Sequence, residues 1–494
     1  MILLRQLNQS FNMKTIEEQI FEHVQSTPDK IALISGEIEV SYGQFWNYCL
    51  KAAASIKENY NLQKGDRVIL SAAGNIEFAY LYFGVHIAGG ICVPIDPDTN
   101  QTRFDYIVKS TTPICVIGTL HNVKMDTISF DDLINCNDKA EFVSPNKDQI
   151  ADILFTTGTT GAPKGVALSY LNHAAAARNI NEFIGNTSDD VELLALPVSH
   201  SFGLGRLRCS LSIGATVVML GSFANVKKFF GEIKRCNVTI FGMVPASWGF
   251  IKKMSGKYIG KLANQLKYIE IGSSFMPIED KQLLMELLPN TRICMHYGST
   301  EASRSAFMEF HSYKDNLLTA GHASPHTDIK LFSTDGKVLP LGEEGEVCVK
   351  GEHVTCSYWN ETPERFASDF FDGYFRTGDC ATMDSEGNIY LKSRIKEMIN
   401  VGGKKVSPME VEDILNKIPG IKESACIGIP DPGIVLGEVV KAFIVADDSL
   451  TDNEIMEQLK SQLEVYKLPI EIERIAEIPK TSSGKIQRLK LKKK

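Results

Sequence analysis

The 494-residue sequence has no long apolar run and no closely spaced pair of cysteines. Its most apolar stretch, residues 79–95, is interrupted by His86, Gly89 and Gly90, and it is shorter than the ~20 residues of a membrane-spanning helix. We interpret it as a buried helix, a turn at Gly89 and Gly90, and a strand. Eleven cysteines without a CxxC pair fit reduced, buried thiols better than a disulfide framework or a zinc site. We therefore expect a cytoplasmic protein without a transmembrane segment.

The sequence also predicts neither a signal peptide nor a basic surface. Three apolar residues after Met1 are too few for the apolar core of a signal peptide, and Met13 is an alternative start. The net charge of -8 argues against nucleic-acid binding, and the C-terminal KLKKK is interpreted as a solvated basic end. The sequence shows no internal repeat. At ~150 residues a domain, its length allows roughly two to four domains.

Short β-branched runs alternate with helical stretches over much of the chain. RVILSA (67–72), ATVVML (215–220) and VTIFGMV (238–244) are typical strands, and residues 41–60 are typical of a helix. Such alternation favours an α/β fold with largely parallel strands. Between about 326 and 393, short strands and glycine turns indicate a β-rich subdomain.

The last ninety or so residues have a compact α+β pattern. Ser407 is a candidate helix cap, Pro408 fits the first helical position, and Glu410 would complete a capping box. Apolar residues at helical spacing follow, and Gly420 is expected to close the segment. The pattern predicts a small separate domain.

The ten residues TTGTTGAPKG, 156–165, stand between two strand-like segments. Small residues let backbone N–H groups and hydroxyls converge on one object, and Lys164 indicates that this object is an anion such as phosphate. The loop is not a Walker A motif, because Pro163 directly precedes the lysine. A plain turn rich in glycine and threonine is the alternative.

Five further stretches accompany this loop. Together, in this order and spacing, they resemble the adenylate-forming superfamily, and most of all its AMP-forming acyl-CoA synthetases, and the resemblance extends from about residue 15 to 490. The stretches are EIGSSFMP (270–277), HYGSTEAS (296–303), YFRTGD (374–379), SRIKEMINVGGKKVSPMEVE (393–412) and PKTSSGKIQR (479–488).

The resemblance implies a two-step reaction. A carboxylate attacks the α-phosphate of ATP to give an acyl-adenylate and pyrophosphate, and a thiol then displaces AMP to give a thioester. ATP, Mg²⁺ and CoA are the expected cofactor and co-substrates, and a small carboxylic acid is the expected substrate.

Several residues of these motifs match the ATP-binding positions of the family. The resemblance implies that Glu301 binds Mg²⁺, that Thr300 contacts the α-phosphate, that Tyr297 stacks on adenine, and that Asp379 with Arg394 binds the ribose. Gly272, Ser273 and Ser274 match the stretch along the adenine, where the family more often has glycine and alanine. The remaining expected ATP contacts are Thr156, Thr157, Gly158, Thr159, Thr160, Lys164 and Gly298.

The resemblance also implies two domains, 1–394 and 395–494, with the smaller one mobile about a hinge at Lys396. Lys485 matches the catalytic lysine that neutralises charge between carboxylate and α-phosphate. Gly402 and Gly403 match the loop that leaves room for a pantetheine arm. The expected fold is thus α/β, with a large N-terminal domain of mixed parallel sheets flanked by helices, a β-rich subdomain and a small α+β C-terminal domain.

LPVSHSFGLG (196–205) resembles the segment that carries the family's acyl gate, here His200. No acid follows His200, so an amino-acid substrate is disfavoured. The expected acyl pocket is apolar and polarizable. Its lining comprises His200, Phe202, Met243, Val244 and Ser299. Two interpretations of Arg206 stay open: its side chain pairs with a polar group on the acid, or it is solvated at the surface.

The resulting prediction is ATP-dependent activation of a carboxylic acid and its transfer to a thiol, most simply CoA. The first alternative is loading of the acyl group onto a phosphopantetheinyl carrier protein. The second alternative is a non-catalytic nucleotide- or acyl-binding relative.

Overall fold

The computed structural model describes residues 13–124, 127–134, 138–156, 163–402, 404–433, 436–447, 449–481 and 484–492. They form two compact units. The first comprises the described residues up to 317, together with 323–328 and 349–370, and the second comprises 318–322, 329–348 and the described residues from 371 onward. The predicted border after residue 394 lies inside the second unit, where the Ser407 hydroxyl donates to the carbonyl oxygen of Lys392.

Helices and strands alternate through much of the described chain, as predicted for an α/β protein. The helices are α1 (Ile16–Ser26), α2 (Tyr42–Tyr60), α3 (Ile76–Ala88), α4 (Gln101–Thr111), α5 (Phe130–Ile134), α6 (Tyr170–Ile184), α7 (Ser201–Ser212), α8 (Val226–Arg235), α9 (Pro245–Ser255), α10 (Ile278–Leu287), α11 (Pro363–Ala367), α12 (Pro408–Leu415), α13 (Asp452–Lys460) and α14 (Arg488–Leu491). The strands are β1 (Ile31–Ser35), β2 (Ile38–Ser41), β3 (Arg67–Ser71), β4 (Ile91–Ile95), β5 (Cys115–Ile117), β6 (Ile150–Thr156), β7 (Lys164–Ser169), β8 (Val191–Leu194), β9 (Thr216–Met219), β10 (Ile240–Met243), β11 (Tyr268–Ile271), β12 (Arg292–Tyr297), β13 (Ala306–Glu309), β14 (His322–Ala323), β15 (Asp328–Phe332), β16 (Gly345–Lys350), β17 (Ser357–Tyr358), β18 (Phe370–Phe371), β19 (Tyr374–Met383), β20 (Ile389–Arg394), β21 (Ile399–Val401), β22 (Lys404–Val406), β23 (Ile421–Pro430), β24 (Glu438–Ala446) and β25 (Glu471–Arg474).

Two sheets organise the first unit. A nine-stranded sheet has the order β14-β13-β12-β11-β10-β8-β9-β1-β2, and a six-stranded sheet has the order β17-β7-β6-β4-β3-β5. Strands β8, β9, β10, β11 and β12 run parallel, whereas β13 is antiparallel to β12. The fold class is therefore the predicted one, with mixed, mainly parallel sheets and helices between their strands.

The apolar stretch 79–95 has the predicted structure. It runs from the buried helix α3 through Gly89, which has φ 90°, into the fully buried strand β4. A left-handed residue at this turn suits glycine, which lacks a Cβ. Among the described residues, no helix combines the length and the apolar character needed to cross a membrane.

Strands β15, β16, β18, β19 and β20, most of whose residues belong to the second unit, form a five-stranded sheet. In the same unit β21 pairs with β22, and β23, β24 and β25 form a third sheet. Helix α12 begins at the predicted place, with the Ser407 hydroxyl accepting from the N–H of Glu410. It ends at Leu415, and Gly420 lies beyond it with φ 96°. Glu410 directs its carboxylate to Nζ of Lys467 at 2.6 Å.

A cluster of charged side chains is buried in the first unit, around Asp152 on β6. The Asp152 carboxylate accepts from Tyr82 Oη at 2.8 Å, His86 Nε2 at 3.0 Å and Arg208 Nη1 at 2.9 Å. His86 Nδ1 is 2.8 Å from the buried Glu17 carboxylate. Buried charges are tolerated when they are paired in this way. The cluster ties α1, α3 and α7 to β6.

The charge of His86 makes a testable contribution to stability. Burial lowers the pKa of His86, but hydrogen bonds to Asp152 and Glu17 outweigh burial and raise that pKa from 6.5 to about 9. Because the folded-state pKa exceeds the unfolded one, this stabilisation is complete below pH 6.5 and is lost as the pH rises through about 9. We expect His86→Gln to destabilise the protein more at pH 6.5 than at about pH 9.

Urea unfolding of both proteins between pH 6.5 and about 9 checks this expectation. Burial keeps the pKa of the neighbouring His173 well below 6.5, so His173 does not titrate in this window. The difference in unfolding free energy between wild type and His86→Gln should shrink as the pH rises. A difference that stays constant across the window would contradict the charged state assigned to His86.

Candidate active site

Four predicted binding segments begin where parallel strands end. His200 follows β8, Val244 follows β10, Gly272 follows β11 and Gly298 follows β12. Because β8, β10, β11 and β12 are parallel neighbours, their carboxyl ends meet at one edge of the nine-stranded sheet. Open α/β sheets bind their ligands at this edge. The topology therefore collects acyl-pocket and ATP-binding candidates in one place.

The predicted phosphate loop is described only at its two ends. Thr156 ends β6 and Lys164 begins β7, and the two residues are antiparallel partners. The Lys164 ammonium lies over the ring of Tyr358, 4.6 Å from the ring centroid. The other predicted loop residues lie outside the described residues: Thr157, Gly158, Thr159 and Thr160.

The loop after β12 carries Ser299, Thr300 and Glu301, which are all half-buried. Glu301 accepts a hydrogen bond from Tyr358 Oη at 3.0 Å. A Cβ at Gly298 would lie 2.6 Å from the backbone nitrogen of Arg304, so a larger residue cannot fit there without displacing the chain. The carboxylate of Glu301 has the hard oxygens that Mg²⁺ prefers when it also binds substrate phosphates.

The predicted adenine-binding stretch has unusual backbone geometry. A Cβ at Gly272 would lie 2.0 Å from Cε1 of His296, so only glycine fits against this imidazole. Ser273 has φ 77°, in the left-handed region that non-glycine residues rarely adopt. Backbone strain of this kind is concentrated at functional sites. Ser274, in the same stretch, is half-buried, and so is Tyr297 at the end of β12.

The predicted ribose-binding pair belongs to the second unit. Asp379 and Arg394 are antiparallel partners on β19 and β20, and Arg394 Nε lies 3.0 Å from Asp379 Oδ1. The N–H of Asp379 donates to the Thr377 hydroxyl at 3.1 Å. Strand pairing therefore brings the two predicted residues together, and their role toward ribose stays a prediction.

The predicted acyl-pocket residues differ in exposure. Met243 is fully buried, Val244 is half-buried, and the Phe202 ring packs edge-on against His296 with ring centroids 4.6 Å apart. His200 is exposed at the start of α7, with Nδ1 3.0 Å from the Ser199 hydroxyl. The role of His200 as a gate stays a prediction.

Arg206 has neither of the two positions considered from the sequence. It is completely buried on α7, and its guanidinium donates to Glu192 and, over 3.1 Å, to Glu270. Two strand carboxylates thus compensate the buried charge. The guanidinium is neither solvated nor available to a polar group on a substrate.

A second buried arginine, Arg304, holds the beginning of α7. Its guanidinium donates to Glu270 Oε1 at 3.0 Å, to the Ser201 carbonyl at 3.1 Å and to the Phe202 carbonyl at 2.9 Å. Burial raises the pKa of Glu270, but Arg304, His296 and Arg206 outweigh burial and hold this pKa far below its usual range. Glu192 and Glu270 therefore balance the charges of two arginines beneath the acyl-pocket residues.

The other predicted functional residues lie in the second unit. Lys485 is exposed in a turn, where its N–H donates to the Thr481 hydroxyl at 3.1 Å. Lys396 is exposed in the 3₁₀ turn Ile395–Glu397. Gly402 has φ 58° between β21 and β22, and Gly403 lies outside the described residues.

Tyr358, Glu270, His296 and Arg304 were missed from the sequence. Glu270 and His296 are the first residues of two quoted motifs, and Arg304 directly follows one of them. Glu270 also carried a signal as the acid of the otherwise apolar strand YIEI. An acid in a fully buried strand requires a partner. Tyr358 carried no local signal, because its partners lie far away in the chain.

Known proteins resemble this chain along most of its length. The long-chain-fatty-acid–CoA ligase FadD13 of Mycobacterium tuberculosis is 30% identical over 475 residues, covering 92% of each chain. The ATP-bound MatB structure from Rhodopseudomonas palustris superposes with a TM-score of 0.87 at 25% identity, covering 97% of this chain and 98% of that chain. The o-succinylbenzoate CoA synthetase (MenE) of Bacillus subtilis, in complex with the acyl-adenylate intermediate OSB-AMP, gives 0.86 at 26% identity, covering 96% and 97%.

Two family descriptions match the sequence itself. Residues 20–359 match the AMP-binding enzyme family, and residues 410–485 match the AMP-binding enzyme C-terminal domain. The first match alone covers more than half of the 494 residues. The chain belongs to the AMP-binding enzyme family.

Proposed function

We propose that this AMP-forming acid–CoA ligase activates a monocarboxylic acid whose chain is uncharged, such as a fatty or aromatic acid. The observation that carries the proposal is the pairing of Arg206 and Arg304 with Glu192 and Glu270. Both buried cations near the pocket residues are compensated by protein carboxylates. They therefore offer no charge to a second carboxylate on a substrate.

The pocket candidates support the same substrate class. Phe202 and Met243 are buried and apolar or polarizable, and each buried methylene of a substrate contributes ~0.8 kcal/mol. A substrate ammonium would need a carboxylate partner, and Glu270 already receives Arg206 and Arg304. An α-amino acid is therefore disfavoured.

The first step requires stabilisation of charge along the phosphates. In the first unit, Lys164 would meet the β- and γ-phosphates, and Glu301 would bind the Mg²⁺ that ATP brings. In the second unit, Asp379 would accept from the ribose hydroxyls, with Arg394 orienting it at 3.0 Å. The Mg²⁺ ion supplies electrostatic stabilisation of the phosphates when bound.

CoA is the acceptor of the second step. A phosphopantetheinyl carrier protein is a further candidate acceptor, since it presents the same thiol arm. We also propose a cytoplasmic location, which is supported by the ten described cysteines all being free thiols.

A panel of carboxylic acids, assayed for pyrophosphate release with and without CoA and with a phosphopantetheinylated carrier protein, tests the proposal. We expect release with uncharged-chain acids and formation of a CoA thioester. Absence of release with every acid would favour the non-catalytic alternative. Thioester formation on the carrier protein alone would make the carrier the acceptor.

The substrate class can be tested with three matched acids. We expect kcat/KM for the α-amino and ω-carboxy analogues of a good substrate to fall at least about 100-fold, because leaving a buried charge unpaired costs ~3–5 kcal/mol and ~1.4 kcal/mol is tenfold. Steady-state pyrophosphate release measures all three. An analogue that matched the parent acid would show that the pocket holds a countercharge.

A further inference from the structure

A short segment of the first unit lies between two predicted ATP-binding elements. The N–H of Thr355 donates to the carbonyl of Glu301 at 2.7 Å, in the loop after β12. Three residues later, Tyr358 pairs with Val166 on β7, the strand that begins at Lys164. The segment 355–358 therefore connects the Glu301 loop to the Lys164 strand through backbone hydrogen bonds.

The side chain of Tyr358 contacts both functional candidates. Its hydroxyl donates to Oε1 of Glu301 at 3.0 Å, and its ring carries the Lys164 ammonium 4.6 Å from the centroid. Tyr358 is 8% exposed, so neither contact is exchanged freely with water. One side chain thus meets the predicted Mg²⁺ ligand and the predicted phosphate-binding lysine.

The phenol of Tyr358 acts as the donor toward the Glu301 carboxylate, at a distance of 3.0 Å. A carboxylate with one oxygen held by a donor presents its other oxygen in a defined direction.

We propose that Tyr358 is a positioning residue that orients the Glu301 carboxylate for Mg²⁺ and holds the Lys164 ammonium for the phosphates of the same nucleotide. This inference rests on the ATP-binding roles given to Glu301 and Lys164 under the proposed function. Tyr358 itself touches neither metal nor phosphate in this assignment. It positions the Glu301 carboxylate and the Lys164 ammonium before MgATP binds.

Tyr358→Phe removes the donor and keeps the ring, including its edge-on packing against Phe366 at 5.7 Å. Loss of an outer partner of a metal ligand lowers metal affinity or activity about 10- to 100-fold. We expect the Mg²⁺ concentration for half-maximal pyrophosphate release to rise by about this factor. The KM for the acid and the thermal midpoint should stay close to those of wild type.

Tyr390→Phe is the matched control, because Tyr390 donates its hydroxyl to the Asp384 carboxylate at the same distance of 3.0 Å. It should leave the Mg²⁺ dependence unchanged. Tyr358→Leu also removes the ring beneath Lys164, so the KM for MgATP should rise beyond that of Tyr358→Phe. Equal KM values for MgATP in Tyr358→Phe and Tyr358→Leu would show that the Tyr358 ring does not hold the Lys164 ammonium.

A double variant separates action through Glu301 from a general loss of structure. In a Glu301→Gln background, Tyr358→Phe should have little further effect on the Mg²⁺ dependence, because the two residues act as one unit. Additive effects would overturn the inference, and so would an unchanged Mg²⁺ dependence of Tyr358→Phe in the otherwise wild-type protein.

Calorimetric titration with MgATP, without any acid, supplies a readout that does not need turnover. Weaker binding of MgATP to Tyr358→Phe than to Tyr390→Phe supports the inference even when no acid in the panel is a substrate. Equal binding overturns it. Failure of the acid panel with wild type would instead count against the proposed function.

Discussion

Lys485→Ala should reduce acid-dependent pyrophosphate release by about 100- to 1000-fold, the usual cost of removing one contact made to developing charge. The family resemblance gives Lys485 the task of neutralising charge between the carboxylate and the α-phosphate. That task belongs to adenylation alone. Thioester formation from supplied acyl-adenylate and CoA should therefore survive, and rapid-quench assays of the two half-reactions measure the difference.

Lys480→Ala is the control for this experiment. Lys480 is bridged to Ile486 across the same turn, but its ammonium pairs with Glu423 at 2.8 Å near the surface. Removing an exposed ion pair has little effect, so both half-reactions should continue. Equal loss of both half-reactions in Lys485→Ala would refute the assigned role.

Glu270→Gln should destabilise the first unit by ~3–5 kcal/mol, the range found when one partner of a buried ion pair is removed. Glu270 is completely buried and receives Arg206 at 3.1 Å and Arg304 at 3.0 Å. With a neutral amide at this position, Arg206 would keep its pairing with Glu192, but Arg304 would lose the carboxylate that its Nε contacts. Urea unfolding followed by tryptophan fluorescence measures the change.

Asp335→Asn removes a carboxylate that pairs with Lys337 at 2.7 Å on the surface. Its unfolding midpoint should stay almost at the wild-type value, because solvent screens exposed pairs. Were Glu270→Gln no more destabilising than this control, the buried cluster could not be the electrostatic support that its geometry indicates.

Local patterns predicted the parts of the fold that depend on neighbouring residues. Gly89 ends α3 because the chain must turn with positive φ, and this requirement is readable from the sequence. Ser407 begins α12 for a similar reason. Glu410 was expected to bond back to the start of its own helix, but its carboxylate pairs with Lys467, 57 residues away. A distant cation is invisible in a local pattern.

The same limit applies to the candidate active site. Motif residues such as Asp379 and Arg394 were predicted together, and strand pairing places them side by side. Tyr358 and Glu301 are 57 residues apart, and the tyrosine is brought there by the pairing of β17 with β7 and by the hydrogen bond from Thr355 to the Glu301 carbonyl. Arg206 was expected at a pocket or in solvent, because the sequence does not show that Glu192 and Glu270 flank it on strands.

The contacts of Arg304 with residues of the predicted acyl pocket restrict how the substrate range of this protein can evolve. Arg304 holds the carbonyl of Phe202 and lies over its ring, 4.8 Å from the centroid, while Phe202 packs on His296. Replacing Phe202 or His296 to admit a bulkier acid would disturb a charge cluster that stabilises the fold. Natural proteins have only a small margin of stability to lose in this way. Val244, half-buried at the end of β10 and outside that cluster, is the position where a change of specificity should cost the least stability.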